Sequence, residues 1–374
     1  MIIAFCLYKY FPFGGLQRDF MRIARTVAGR GHQVRVYTQS WQGECPEEFE
    51  LIVVPVRKRT NHGRNAEYYQ WVTAHLAQHP VARVVGFNKM PGLDLYYAAD
   101  VCYAEKVAQE KGFFYRLTSR YRHYAAFERA TFEQGKKTQL LMLTDKQIAD
   151  FQRHYHTEPE RFHILPPGIY PDRKYSQQIP DSRHIYREKN RIGADQNFVL
   201  QVGSDFNRKG VARTIEAIAA LPDAVRQDTL LFVVGQDKPG PFAALAAKLG
   251  IKENVHFFAG RSDVAELMAA ADLLVHPAKQ EAAGIVLLEA VAAGLPVIVT
   301  EVCGYAPYIA NARCGVVINE PFSQAALNKT LADALSKPSC LSEWAANARH
   351  YADTQDLYSL PEKVADMITG EVNG

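Results

Sequence analysis

Along this chain, short runs of consecutive apolar residues alternate with longer stretches whose apolar residues recur every three or four positions. That rhythm predicts strands and helices in alternation, and hence doubly wound parallel sheets in place of a barrel or a β-sandwich. In the first half the strands are expected at 2–7, 33–38, 51–54, 83–87, 100–103 and 139–143. In the second they are expected at 198–202, 230–234, 255–257, 272–276 and 297–300. Pro166-Pro167-Gly168-Ile169-Tyr170-Pro171 interrupts the rhythm as a linker. The fold class is therefore α/β, two Rossmann-like doubly wound domains over 1–167 and 168–351 facing across a cleft. A final amphipathic helix, within 352–374, is expected to cross back onto the first domain. Sheets of this kind bind ligands at the carboxyl ends of their strands, so function is expected in that cleft.

Length agrees with this division, since 374 residues exceed one ordinary core. With 48% hydrophobic and 22% charged residues the composition is that of a globular protein. No apolar run approaches a membrane span, and Met1 to Leu7 leads into Tyr8-Lys9 without a basic leader, so a cytoplasmic location is expected. Six cysteines at 6, 45, 102, 303, 314 and 340 form no Cys-x-x-Cys pair, which excludes the usual zinc and redox spacings. The net charge of +3 conceals an asymmetry: residues 1–170 hold 23 Lys and Arg against 16 Asp and Glu, and the remainder holds 20 against 24. The basic half suits phosphate groups or an anionic surface, against the plainer reading of a solvated face.

The chemistry is densest from Glu281 through Ala282, Ala283, Gly284, Ile285 and Val286 to Glu289, where two carboxylates stand eight positions apart around the start of an apolar helix. A Glu in such a helix is costly without a partner. Gly284 opens the helix, and the N–H groups of Gly284 to Val286 form an anion site suited to a diphosphate. Helical side chains lean toward the amino end, so Glu289 points back at that site while Glu281 stands before it. A diphosphate flanked by two hydroxyl-bearing rings, as in a nucleotide-sugar, satisfies all of this; a capped, salt-bridged structural helix is the alternative.

Two further turns bear on the same ligand. Gly14 and Gly15 follow the first strand and allow close approach to a phosphate, without the third glycine of a dinucleotide fingerprint. Asp19 comes next, either a reacting carboxylate or a first-turn residue serving the helix dipole. In the second half Arg208-Lys209-Gly210 turns from a strand end into a helix, and an Arg-Lys pair there neutralises a departing diphosphate without a metal. No Asp-x-Asp offers a divalent-ion site. Arg173, beside the linker, and Arg261 are additional substrate-binding candidates.

Taken together, the Gly14-Gly15 loop, the Gly31-His32-Gln33-Val34 strand entry, the Arg208-Lys209-Gly210 turn and the Glu281 to Glu289 motif followed by Gly294-Leu295-Pro296-Val297 resemble the family 4 retaining glycosyltransferases of the two-domain B type, over nearly the whole chain. The resemblance implies that Glu289 holds the ribose, Glu281 the donor sugar, Arg208 and Lys209 the diphosphate, and Gly15 the phosphate-sugar junction, with no metal or cofactor. Many relatives place a His beside the reacting sugar, whereas Ala99-Asp100-Val101-Cys102-Tyr103 here has none. That leaves Asp19 or Asp100, with Glu281, as the catalytic carboxylates. A single clear carboxylate near the sugar argues for front-face displacement assisted by the leaving diphosphate, since double displacement needs a nucleophile on the opposite face.

From Tyr103 to Phe132, Lys106, Lys111, Arg116, Arg120, Arg122 and Arg129 interleave with Phe113, Phe114, Tyr115, Tyr121, Tyr124 and Phe127 on an expected helix. It is either a contact with an anionic membrane surface or a lid whose aromatics belong to the core. Arg57-Lys58-Arg59-Thr60-Asn61-His62-Gly63-Arg64 is a second basic loop. Phe11 to Asp19 and Tyr121 to Ala130 resemble a lipopolysaccharide-core branch of the family. That likeness implies UDP-glucose as donor, a phosphorylated inner-core lipopolysaccharide heptose as acceptor in α-1,3 linkage, no nucleic acid partner, and a peripheral place on the inner face of the inner membrane. A UDP-sugar epimerase, which needs no acceptor, and a non-catalytic nucleotide-sugar-binding membrane scaffold, indifferent to loss of Glu281, are the competing classes.

Overall fold

The computed structural model describes residues 1–12, 14–170 and 180–370. The chain forms two compact units: Met1–Gly168 with the segment from Ser359 onward, and Ile169–Tyr358.

The first unit contains β1 (Ile2–Cys6), β2 (Lys9–Tyr10), β3 (Gln33–Thr38), β4 (Ser40–Trp41), β5 (Phe49–Val53), β6 (Arg83–Gly86), β7 (Leu95–Ala98), β8 (Gln139–Met142) and β9 (Phe162–Ile164). Seven of these make one parallel sheet in the order β5-β3-β1-β6-β7-β8-β9, and β2 pairs with β4 apart from it. Residues such as Ala4, Phe5, Val34, Val36, Tyr96 and Leu141 are fully buried, because helices cover both faces of a parallel sheet and leave no solvated side. The second unit carries β10 (Asn197–Val202), β11 (Thr229–Val234), β12 (Val255–Phe258), β13 (Leu273–His276), β14 (Val297–Thr300) and β15 (Gly315–Ile318). All are parallel, in the order β12-β11-β10-β13-β14-β15. Both sheets therefore share the doubly wound pattern in which the winding reverses beside the first strand.

One expected strand, 100–103, is absent. β7 ends at Ala98, Asp100 lies in the following loop, and Tyr103 begins a helix, Tyr103–Glu110. The apolar run Leu93 to Ala98 supplies the strand instead; its aspartate and tyrosines hid the period, yet Tyr96 and Tyr97 are both wholly buried. β2, β4, β9 and β15 also fall outside the expected strands, and β9 and β15 are edge strands of their sheets. The helix expected over 103–132 is three pieces, Tyr103–Glu110, a 3-10 turn Phe113–Leu117 and Ser119–Phe132, broken at Gly112 and capped again by the Thr118 hydroxyl accepting from Tyr121 N–H.

The Leu360–Thr369 helix lies against the Gly15–Gly29 helix within the first unit, burying Leu360, Val364 and Ile368 and pairing Arg30 with Asp366 at 2.7 Å. Among the described residues no helix is long and apolar enough to cross a membrane.

Candidate functional site

In the second unit β10 and β13 are neighbours, while β11 lies on the far side of β10, so the loops leaving β10 and β13 diverge from a common crevice. Gly210 brings these loops into contact. It sits at φ +73, and a Cβ there would stand 2.0 Å from the Pro277 carbonyl oxygen, so any side chain would push the loops apart. Lys279 N–H donates to the Arg208 carbonyl at 2.8 Å, Lys279 Nζ to Asn207 Oδ1 at 2.7 Å, and Arg213 to the Pro277 and Ala278 carbonyls at 3.1 Å.

The consequence is a charge cluster on Glu281. Lys209 Nζ pairs with its Oε2, Arg208 Nη1 reaches the same oxygen at 3.3 Å, and His276 Nε2, from the end of β13, stands 3.7 Å away. Arg208 also grips Asp205 at 3.1 Å and the Gln280 carbonyl at 3.1 Å, which fixes the guanidinium between the two loops. Only about an eighth of the Lys209 and Glu281 side chains is exposed. Burial by itself would raise the Glu281 carboxyl, but the His276 ring and the Lys209 ammonium outweigh it and hold the group well below the usual carboxylate range. Burial also pushes the His276 imidazolium down, so that ring is neutral at pH 7.

Beyond Glu281 the loop is anchored by a bridge from Glu281 to Cys303 and by Tyr305 N–H donating to the Ala283 carbonyl at 2.8 Å; Ala282 and Ala283 are half-buried. Gly284, at φ +91, caps the Ile285–Ala292 helix. Its first backbone bond runs from Leu287 N–H to Gly284, so the N–H groups of Gly284, Ile285 and Val286 lie ahead of the ladder at the positive end of the dipole. Glu289, one turn further on, is 4% exposed within a helix otherwise made of Ile, Val, Leu and Ala.

In the first unit Gly15 opens the Gly15–Gly29 helix, and a Cβ there would meet nothing within 4 Å, so its backbone faces open space. Gly14 has a local reason to be glycine: a Cβ would collide with the Gln17 amide at 1.8 Å. Asp19 is not in the first turn of this helix, which corrects the dipole reading; its Oδ2 accepts from the Tyr97 hydroxyl at 2.8 Å, a partner on β7 that sequence reasoning missed. Asp100 is exposed, on a loop held from below. Gln147 Nε2 donates to the Ala98 and Asp100 carbonyls at 3.0 and 3.2 Å, and Lys89 Nζ to the Val101 carbonyl at 2.9 Å. Lys89 is itself paired with Glu128, a fully buried carboxylate.

Arg261 follows β12. Its Nε and Nη2 engage both Asp263 oxygens at 2.7 and 2.6 Å and Nη2 also reaches the Tyr186 hydroxyl at 3.1 Å, so the guanidinium is committed to the turn after β12. Arg173 lies outside the described residues.

The basic, aromatic stretch divides by position. Phe127 and Phe132 are buried in the first unit's core, whereas Phe113, Phe114 and Leu117 are 74%, 82% and 58% exposed on the 3-10 turn, beside Lys111, Arg116 and Arg120. Three large apolar side chains in open solvent within one turn are a patch, not scattered surface residues.

Comparison with known proteins adds to this geometry. Residues 13–173 match the model described as Glycosyltransferase Family 4, and 182–351 the model described as Glycosyl transferases group 1. The chain is 76% identical over 374 residues, the whole of both chains, to "Lipopolysaccharide glucosyltransferase WaaG" of Escherichia coli (strain K12). It is 28% identical over 255 residues, 63% of this chain and 56% of the other, to a D-inositol 3-phosphate glycosyltransferase of Streptomyces scabiei (strain 87.22). The crystal structure of WaaG matches with a TM-score of 0.95 at 76% identity, over 98% of this chain and 100% of that one. Anabaena Alr3699/HepE in complex with UDP-glucose matches in fold alone, with a TM-score of 0.74 at 18% identity over 99% and 100% of the two chains.

Proposed function

The chain belongs to the family 4 glycosyltransferases, and from that premise we propose that it is a retaining enzyme moving glucose from UDP-glucose in α-1,3 linkage onto an inner-core heptose of lipopolysaccharide. The observation that carries the reading is the convergence of Arg208 and Lys209 on Glu281 at the carboxyl ends of β10 and β13, next to the amino end of the Gly284-capped helix. Identity of 76% over the full length to a lipopolysaccharide glucosyltransferase supports the choice of donor sugar and acceptor.

On this reading the uridine ribose hydroxyls are held by Glu289 and the diphosphate by the N–H groups of Gly284 to Val286. Arg208 and Lys209 neutralise the charge that builds on the diphosphate as the glycosidic bond lengthens, so no metal is needed for departure. Glu281 holds the glucose hydroxyls. The acceptor hydroxyl approaches the face that the diphosphate is leaving, its proton passes to a phosphate oxygen, and configuration is retained without a glycosyl-enzyme. Asp19, oriented by Tyr97, or Asp100, on the loop held by Lys89 and Gln147, is the carboxylate that assists the acceptor hydroxyl.

The exposed Phe113, Phe114 and Leu117, beside Lys111, Arg116 and Arg120, suit a peripheral contact with anionic lipid at the inner face of the inner membrane. The test is UDP release from UDP-glucose by purified protein, with and without lipopolysaccharide truncated at its inner-core heptoses. Acceptor-dependent release is expected. Conversion of UDP-glucose into another UDP-sugar with no UDP released favours an epimerase, and UDP binding with neither conversion nor release favours a scaffold.

A further inference from the structure

His276 is the last residue of β13, fully buried, and neither of its ring nitrogens has a hydrogen-bond partner among the described residues. Leaving a buried polar group unmatched is destabilising, so such a ring calls for an explanation. Its Nε2 lies 3.7 Å from Glu281 Oε2, too long for a formed hydrogen bond though close enough to help hold that carboxyl down, and the oxygen is already occupied by Lys209 and approached by Arg208.

These contacts conflict with what the same residues do once a donor is bound. Lys209 and Arg208 cannot both neutralise a diphosphate and remain wholly on Glu281. A diphosphate carries more charge than a carboxylate and draws the cations away, leaving Glu281 largely buried and short of partners. An uncompensated carboxylate at that depth is strongly destabilising. Resting on the glycosyltransferase reading above, we propose that His276 is a positioning residue that replaces the cations on Glu281. When the diphosphate takes Lys209 and Arg208, the neutral ring donates its Nε2–H to Oε2. Glu281 stays ionised and its Oε1 is held toward the sugar.

The exchange needs a movement of less than an ångström to bring 3.7 Å to a normal bond length. No proton is transferred, because the neutral ring already carries one N–H for donation. Strand β13 supplies rigidity: its backbone is paired with β10 and β14, so the ring is fixed and the loop carboxylate moves to it. While the Lys209–Glu281 pair is formed, neither of these opposite charges stands unpaired. In the loaded protein the phosphate and His276 share that task.

The test uses the full chain and two readouts. In the first, nitrogen-15 histidine NMR follows His276 as UDP is added. The Nε2–H is expected to become a slowly exchanging, hydrogen-bonded proton in wild type and to stay unchanged in Glu281→Ala. In the second, His276→Met removes the donor at similar volume and His276→Gln restores an N–H near the Nε2 position. Met is expected to lower kcat about 10- to 100-fold, the worth of one hydrogen bond to a charged group, with KM for UDP-glucose altered less than threefold; Gln is expected to recover most of it. An unchanged Nε2 signal with UDP demonstrably bound, or unchanged kcat in a folded His276→Met protein, overturns the proposal. Absence of transfer in wild type refutes the enzyme reading separately, because the NMR arm needs only bound UDP.

Discussion

Glu128 is wholly buried in the Ser119–Phe132 helix and serves five groups at once. It pairs with Lys89, accepts from the Tyr103 and Ala104 N–H groups at 2.8 and 2.9 Å and from the Tyr155 hydroxyl at 2.7 Å, and stands 3.7 Å from the Cys102 thiol. It thereby caps the Tyr103–Glu110 helix from outside, a service that Cys102, at the cap position, does not supply. Glu128→Ala strands the Lys89 ammonium, which is only 12% exposed, and leaves two helix N–H groups without an acceptor. Breaking one side of a buried pair costs about 3–5 kcal/mol. At about 2–4 °C per kcal/mol, the first unit should melt about 6–20 °C lower. Lys89→Met with Glu128→Met removes both charges and should regain about half of the loss, the unmatched N–H groups accounting for the rest. Burial would raise the Glu128 carboxyl, but Lys89, the Tyr103 N–H and the Tyr155 hydroxyl outweigh it and hold it below the ordinary range. A depressed folded value makes this stabilisation complete above the unfolded value of about 4.3 and removes it as pH falls through the folded one. The gap between wild type and Glu128→Ala should thus be constant from pH 6 to 8 and narrow in acid. The assay is thermal and urea unfolding of the full chain, with the first unit's transition followed by near-UV dichroism of its tyrosines. A single-variant loss under about 1 kcal/mol, or a double variant no more stable than the single, would refute the reasoning.

Glu289→Ala should weaken UDP affinity measured by calorimetry, while Lys209→Ala should mainly slow transfer, by about 100- to 1,000-fold if it acts on the developing phosphate charge; unchanged UDP affinity in the first would move the ribose site elsewhere. Gly210→Ala combines a left-handed backbone with a collision against Pro277 and should cost about 2–5 kcal/mol in the second unit's stability, together with loss of UDP binding, since the two loops must separate. Neutralising Lys111, Arg116 and Arg120 as glutamines should reduce binding to anionic vesicles by about 100-fold at about 1 kcal/mol per cation, with neutral vesicles much less affected; undiminished sedimentation with anionic vesicles would refute the surface contact.

The sequence by itself determined the class of fold and the chemical types at the site. Continuous apolar runs such as Leu230 to Val234 and Leu273 to Val275 have one stable setting, between helices in a parallel sheet, so the strands could be read from local pattern. Gly284 between Glu281 and Glu289 marked the start of an apolar helix for the same local reason. Where polar groups broke the run, as at Leu95 to Ala98 with its flanking aspartates, local pattern misled, because only packing reveals that two tyrosines are fully enclosed. The partnerships were decided by tertiary structure alone. Lys209 meets Glu281 across 72 positions, Tyr97 meets Asp19 across 78 and Lys89 meets Glu128 across 39, each through a parallel crossover that no local periodicity encodes. His276 showed no signal in the sequence beyond its place at a strand end. Its meaning comes from burial beside a carboxylate, and burial is set by the sheet's neighbours, not by the residue's own.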